Sequence, residues 1–396
     1  MNAFPKELQI QNIEGVLTAI YRKPGDLLIP IEAKTSYFGG LAAAIQCVNT
    51  WARESSQYKL ICQSDDKPFK DQQLEIIQQP YKFSVALMAQ YIEFRLGEEK
   101  LDIRNALYSE AKIYVEEQSK NQYGFHRGNV CSFSFVDHST KGFDRNFYTL
   151  KDDAKPIPRK DSQIGNVIRS MIEKTFVTVG GASPLPEDGY KALERIFVEL
   201  FKNTHEHGSK DINKEAWLRP AVRTLYTKTL NMNNVGAQNM TAGANVLATY
   251  INSLSNNNHE RKRYMELGII DSGLGFYKRW QADHPEQDIP DLPSIEQEYE
   301  IFKKCFTFRR TSSHEGYKGM GLPEVMEKLT ALKGFMKVRS GRLSLYRDFN
   351  IQPYVLGGDS ELYDWNTLLP GAVESTIMAE TAGVSITLLI PLGDKK

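Results

Sequence analysis

The chain contains 396 residues, of which 41% are hydrophobic and 25% are charged. This balance is typical of a soluble globular protein with two or three domains, and it excludes an intrinsically disordered chain. Lysine and arginine together number 49, as do aspartate and glutamate, so the formal net charge is zero and a nucleic-acid-binding protein is not indicated.

Neither a membrane span nor a secretion signal is predicted. Apolar runs stay short of the roughly 18 residues that a span needs, and the N-terminus lacks the basic and then apolar order of a signal peptide. The four cysteines lie far apart, without metal-binding or disulfide spacing; they are Cys47, Cys62, Cys131 and Cys305. We therefore predict a reduced, cytoplasmic protein without a membrane partner.

Residues 1–150 are predicted to form an α/β domain. The segments 26–33 and 58–63 are short apolar runs typical of strands, and the alanine-rich segment 39–54 between them is helix-like. A strand, a helix and a second strand within about 40 residues suit a βαβ unit. A further helix is predicted over 83–96.

This region is similar to the small STAS domains that partner bacterial regulatory kinases. In those domains a phosphorylatable Ser or Thr precedes a Gly-Leu pair that opens a helix. Gly40 and Leu41 match the pair, whereas Phe38 and Gly39, which have no hydroxyl group, occupy the phosphorylated positions. The resemblance implies a regulatory or partner-binding domain.

A linker is predicted over 151–163, where two prolines and alternating charges replace apolar residues. A second domain is predicted over 164–396. Apolar residues at helical spacing predict helices over 164–176 and 188–207, the second ended by Gly208. The remaining predicted elements are a helix over 321–332 and strands over 265–270, 335–340, 343–347 and 384–391.

Three polar residues spaced four apart lie on the second helix, namely Glu199, Asn203 and His207. Residues at this spacing share one helix face, and here that face adjoins an apolar stripe. A carboxylate, an amide and an imidazole beside a buried surface suit a polar cleft. An ordinary amphipathic helix would show the same pattern.

A glycine-containing turn follows the predicted strand 265–270. Asp271 could accept a hydrogen bond from an exocyclic amine, and Gly273 and Gly275 would let the backbone approach a flat ring closely. A commonplace strand-to-turn junction has the same composition.

A second glycine-rich loop, 316–322, opens the helix over 321–332 and includes Gly319, Gly321 and Leu322. The free N–H groups at a helix start suit an anion. The loop is neither a Walker A loop nor a Rossmann fingerprint, and alone it also fits a plain loop.

Together and in this order, the three sites resemble the GHKL (histidine-kinase-like) ATPase family over residues 164–392. That family includes sensor histidine kinases, anti-sigma-factor serine kinases and type II topoisomerase ATPase domains. The resemblance implies an α/β fold, an α+β sandwich with helices on one face of a mixed sheet. It also implies ATP and Mg²⁺ as ligands.

The resemblance assigns a role to each matching residue. Asn203 would bind magnesium, Glu199 would orient or activate water, and His207 would contact the phosphate or ribose side. Asp271 would bind the adenine amino group, and 276–318 would be the ATP lid, with phosphate contacts from 309–312. The residues that would shape the base pocket and the phosphate loop are Gly273, Gly275, Gly319, Gly321 and Leu322.

The chain departs from the family in several places. The last strand of the family opens with Gly-Thr, whereas Gly383 precedes Val384 here, so Ser385 or Thr387 would have to supply the hydroxyl. The segments 209–263 and 348–381 are insertions that suit partner contacts, although inert decoration is an equal alternative.

A Mg²⁺-dependent ATPase that acts as a nucleotide-controlled switch for a protein partner is the predicted function, and a homodimer is an open possibility. The alternatives are a protein Ser/Thr kinase of the anti-sigma-factor type and a non-hydrolysing, ATP-gated interaction module. A sensor histidine kinase is not expected, because His126 and His138 lie in loop-like surroundings. A downstream transducer domain is not expected, since four residues follow Leu392.

Overall fold

The computed structural model describes residues 1–30, 35–55, 57–63, 68–96, 98–139, 142–150, 156–178, 185–208, 210–254, 261–307 and 321–392. They form a mixed α/β protein with an N-terminal, mainly parallel sheet and a C-terminal eight-stranded antiparallel sheet with helices. No helix in these ranges is both long and apolar enough to cross a membrane.

The N-terminal part alternates short strands with helices. Its elements are β1 (Asn2–Ala3), β2 (Glu7–Leu8), α1 (Ile10–Arg22), β3 (Leu27–Ile29), β4 (Thr35–Ser36), α2 (Gly40–Glu54), β5 (Lys59–Gln63), α3 (Phe69–Ile77), α4 (Pro80–Met88), β6 (Tyr91–Leu96), β7 (Glu99–Asp102) and α5 (Arg104–Lys120). The first sheet has the order β1-β3-β5-β6-β7, with β7 antiparallel to β6 and the other pairs parallel. Helical crossovers connect the parallel strands, as parallel pairing requires.

The C-terminal part carries the larger sheet. Its elements are β8 (Phe125–Arg127), β9 (Val130–Val136), β10 (Tyr148–Leu150), β11 (Pro156–Pro158), α6 (Asp161–Thr178), α7 (Glu187–Asn203), β12 (Val222–Asn233), α8 (Asn234–Asn239), α9 (Asn245–Ser253), β13 (Arg261–Ile270), α10 (Gly275–Asp283), α11 (Ile295–Cys305), α12 (Gly321–Ala331), β14 (Phe335–Gly341), β15 (Leu343–Asp348), β16 (Tyr363–Asp364) and β17 (Thr381–Leu392). The eight-stranded sheet has the order β16-β15-β14-β17-β13-β12-β9-β8.

Helices cover both faces of this sheet. Successive residues of a strand point to opposite faces, so Met265, Leu267 and Ile269 of β13 pack with α6, α7 and α12. Tyr264 packs with α9 and Ile270 with α2 and α4 on the other face. Because α2 also packs against β3 and β5, the N-terminal helices form a layer between the two sheets.

Two expectations about the second sheet are wrong. The sheet is antiparallel throughout rather than mixed. Short turns join β8 to β9 and β14 to β15, and such turns connect antiparallel strands. Helices lie on both faces rather than one, since the N-terminal part supplies the second layer. The insertion over 209–263 contributes β12, which pairs with both β9 and β13 inside the sheet.

The predicted helix over 83–96 is also wrong in its second half. The helix α4 ends at Met88, and β6 follows. Buried Ile92 and Phe94 alternate with Tyr91, Glu93 and Arg95, which is the two-residue period of a strand.

The other predicted elements agree with the structure to within a few residues. The predicted strand over 26–33 is described only to residue 30, and within that part Leu27–Ile29 form β3. The strands β8 and β9, which precede the predicted boundary at 150, pair into the eight-stranded sheet. Of the predicted linker 151–163, β11 pairs with β10 and α6 begins at Asp161; 151–155 lie outside the described residues.

Candidate functional site

The C-terminal end of α7 and the start of α12 bring three predicted site residues together. A Cβ atom added to Gly321 would lie 2.8 Å from Oε2 of Glu199 and 3.5 Å from Nδ2 of Asn203. The two helices pack through the core that their apolar faces share, including Leu200 and Leu322. Any side chain larger than that of glycine at position 321 would therefore displace the carboxylate of Glu199.

Glu199 belongs to a network of charges. Its Oε1 lies 2.8 Å from a guanidinium nitrogen of Arg195, one helical turn earlier. Arg195 also pairs with Glu324 at 2.8 Å and with Asp161 at 3.2 Å. Burial raises the pKa of Glu199 above its usual value, and the charge of Arg195 opposes this rise. A carboxylate with a raised pKa is a stronger base near neutral pH.

Asp271 lies at the end of β13 and continues the face that packs on α7. A Cβ atom added to Gly208, the last residue of the π-helical turn Thr204–Gly208 that extends α7, would lie 2.7 to 2.9 Å from Asp271 side-chain atoms. Asp271 is 2% exposed. Burial raises its pKa to about 7, and the backbone N–H groups of Gly273 and Val384 oppose the rise.

Three backbone segments meet around Asp271. The N–H of Gly273 donates to Oδ1 of Asp271 at 2.9 Å, and the N–H of Gly383 donates to the carbonyl of Gly273 at 2.8 Å. A Cβ atom on Gly273 would overlap the carbonyl of Gly208, and one on Gly383 would overlap the backbone of Asp271. Glycine is therefore required for these backbones to approach so closely.

The remaining predicted site residues have different surroundings. Gly275 begins α10 with φ +77°, and its space is bounded by Ser340. His207 is partly exposed, with Nε2 3.9 Å from a carboxylate oxygen of Glu206. Leu322 is buried in the core beside α7. Gly319 lies outside the described residues.

The predicted lid is only partly described. Its first part forms α10 and α11, which contact each other through Tyr277, Trp280 and Ile301. The part over 308–318, including the predicted phosphate contacts at 309–312, lies outside the described residues.

The hydroxyl groups expected to replace the family's threonine lie on the other face of β17. Ser385 and Thr387 line a small cavity with Gly39, Gln46 and Lys337. Their neighbours Ile386 and Leu388 instead face the core around α7. Since Asp271 is on the α7 side, neither hydroxyl takes the expected place.

Sequence reasoning missed several residues of the site. Gly208 was interpreted only as the end of a helix, and Gly383 only as the start of a strand. Arg195 carries a signal that could have found it, because it precedes Glu199 by four residues, the spacing of a helical ion pair. The described residues contain no group of three or more His, Cys, Asp or Glu side chains arranged to hold a metal ion.

Comparisons with protein-family models, with curated proteins and with solved structures each found no match. The functional interpretation therefore depends on the geometry of this site.

Proposed function

We propose that residues 164–392 form a GHKL-type ATP-binding domain and that the protein is a Mg²⁺-dependent ATPase that switches a protein partner. One observation carries the proposal. Three motifs that are far apart in the sequence meet along the end of α7, where Glu199 and Asn203 face Gly321 while Gly208 contacts Asp271. A chance set of polar residues and turns has no reason to converge in this way.

The environment of Asp271 suits the base of an adenine nucleotide. A buried carboxylate that lies between glycine backbones can accept a hydrogen bond from the exocyclic amine of adenine. The absent side chains at Gly208, Gly273 and Gly383 let three backbone segments close around this carboxylate.

The start of α12 at Gly321 suits the phosphate groups. The positive end of α12 begins there, and helix starts of this kind bind anions. The amide oxygen of Asn203 would hold Mg²⁺, an ion that usually takes one or two protein oxygens and completes its shell with phosphates and water. Bound Mg²⁺ would offset phosphate charge.

Glu199 would then act on the attacking water. Its raised pKa suits a general base, and Arg195 holds one of its two carboxylate oxygens. Oε2, the oxygen that faces Gly321, is the one directed at the proposed phosphate position.

The test is Mg²⁺-ATP turnover by the full chain, with released phosphate and label on protein counted separately. We expect Glu199→Ala to lower phosphate release by about 100-fold or more, the usual contribution of a general base. The matched control is Glu187→Ala, which removes a glutamate of the same helix that is also paired with an arginine, at 2.7 Å.

Two further measurements decide between outcomes. Asn203→Ala is expected to abolish binding of the magnesium nucleotide, and unchanged affinity in that variant would contradict the whole proposal. Label that appears on an added partner protein instead of as free phosphate would indicate the Ser/Thr kinase.

A second candidate function has one observation in its favour. Because Oε1 of Glu199 is paired with Arg195 at 2.8 Å, the carboxylate is less basic than a free one in the same position. A protein that binds ATP tightly but hydrolyses none, with or without Glu199, would be an ATP-gated interaction module.

A further inference from the structure

The helix α2 of the N-terminal part lies between the two sheets, and 12 of its 15 residues are buried. Three of its polar residues, Gln46, Thr50 and Arg53, are spaced by four and three positions. Residues at this spacing lie on one helix face, and here that face is directed at β17 and at the turn after β13. A buried helix with a polar face needs a specific partner for each polar group.

Gln46 and Thr50 bind the start of β17. The side-chain amide of Gln46 donates to the carbonyl of Arg339 at 3.0 Å and to Oγ1 of Thr381 at 3.2 Å. The N–H of Ala382 donates to Oγ1 of Thr50 at 3.0 Å. These bonds hold the residue directly before Gly383, which contacts the backbone of Asp271.

Arg53 reaches the turn that carries Asp271 from the other side. Its guanidinium donates to the carbonyl of Pro220 at 2.9 Å and lies 3.5 Å from Oγ of Ser272. Ser272 is fully buried, and its Oγ also accepts the N–H of Val222 at 3.0 Å. The charges of Arg53 and Asp271 are close enough to interact, although burial lowers the pKa of Arg53.

We propose that α2 is a structural support for the base end of the nucleotide site, with Arg53 as a positioning residue for Asp271. Nucleotide binding and the packing of the N-terminal part are then thermodynamically coupled. Because such coupling is reciprocal, a protein partner that binds the N-terminal part and shifts α2 changes the affinity for nucleotide. This inference depends on the proposed function.

The experiment compares Arg53→Gln with the wild-type full chain. The dissociation constant of a fluorescent ATP analogue is measured with Mg²⁺ by anisotropy, and the melting temperature is measured without nucleotide. We expect Arg53→Gln to weaken binding about tenfold, a typical coupling, and Arg53→Lys to recover part of the loss. The control Arg22→Gln, at the exposed end of α1, leaves affinity unchanged.

A pH profile separates positioning from a general loss of stability. The charged groups that interact with Asp271 are Arg53 on α2, Arg223 on β12, Arg279 on α10 and Asp137 after β9. Loss of the Arg53 charge raises the pKa of Asp271, so the pH at which affinity is half-maximal should move upward in Arg53→Gln. A purely structural effect would weaken binding equally at every pH.

The outcomes distinguish the two proposals. Wild-type protein that fails to bind ATP overturns both. If the wild type binds ATP and folded Arg53→Gln has the same affinity and pH profile, only the role of α2 is overturned. If Arg53→Gln unfolds, Thr50→Val replaces it in a double-mutant cycle with Asp271→Asn, and strictly additive effects on affinity then overturn the inference.

Discussion

The proposed nucleotide site predicts a pH dependence of binding, because Asp271 is buried. Burial raises the pKa of its carboxyl to about 7. In the proposed complex only the ionised form would accept both the N–H of Gly273 and the adenine amino group. From pH 8 to pH 6 the ionised fraction falls from about 90% to about 10%. Since apparent affinity scales with the fraction of competent protein, we expect binding of Mg²⁺-ATP to weaken about ninefold over this range.

Isothermal titration calorimetry checks this expectation. Titrations at pH 6 in two buffers with different ionisation enthalpies should reveal the release of nearly one proton on binding. The reason is that the ligand binds the protein with Asp271 ionised, whereas most of the free protein at pH 6 has Asp271 protonated. Asp271→Asn should bind more weakly and lose this proton release, while titration of the nucleotide phosphates remains in both proteins. A pH profile and a proton count that are the same in Asp271→Asn would refute the role given to Asp271.

The same raised pKa has a consequence for stability. The folded protein holds the Asp271 proton more tightly than the unfolded chain does, because the carboxyl has its ordinary pKa of 3.8 in the unfolded chain. The stabilisation from this proton is complete below about pH 4 and is lost as the pH rises through about 7. Between pH 4 and pH 8, without nucleotide, the free energy of unfolding of the wild type should fall by at most about 4 kcal/mol more than that of Asp271→Asn. This follows from about 1.4 kcal/mol per pKa unit. If urea unfolding shows the same change in unfolding free energy between the two pH values for both proteins, this prediction is contradicted.

Two further substitutions test the packing around the site. Gly321→Ala adds a methyl group 2.8 Å from Oε2 of Glu199, so turnover should fall tenfold or more, since small displacements of a reacting group are costly. Gly15→Ala is its control because nothing lies within 4 Å there; turnover should be unchanged and urea unfolding should show a gain of about 0.5–1 kcal/mol. Asp137→Asn breaks the buried bidentate pair with Arg223, whose two bonds are 2.7 Å long, and should cost about 3–5 kcal/mol. A cost below about 1 kcal/mol in urea unfolding would mean that water reaches this pair.

The sequence carries clear signals where a pattern is local. The apolar stripe of α7 and the strand-like runs of β5 and β13 agree with the structure, because burial of one face imposes the period of the element on its residues. The segment 83–96 shows the limit of this reasoning. Its composition is mostly apolar, and the short strand β6 after Met88 was therefore not separated from α4.

The arrangement of layers was not predictable in the same way. Nothing in the residues of α2 indicates that this helix covers a face of the second sheet, or that Arg53 reaches Ser272 across 219 positions of the chain. The hydroxyl groups of Ser385 and Thr387 face α2 and not Asp271, because the alternation of β17 places the apolar Ile386 on the α7 side.

The sequence by itself determined the identity and order of the candidate site residues and the helices and strands that carry most of them. Local periodicity and turn chemistry are enough for that, because they are imposed on neighbouring residues. Only the tertiary structure decided that Gly208 and Gly383 surround Asp271, that Arg195 pairs with Glu199, and that α2 contacts Ser272 and Ala382 on either side of Asp271. The contacts of Asp271 join residues that are far apart in the sequence. Arg195 is near Glu199 in the sequence, but only the structure shows which of its possible partners it pairs with. These contacts depend on how the buried faces of separate elements pack, which no single segment encodes.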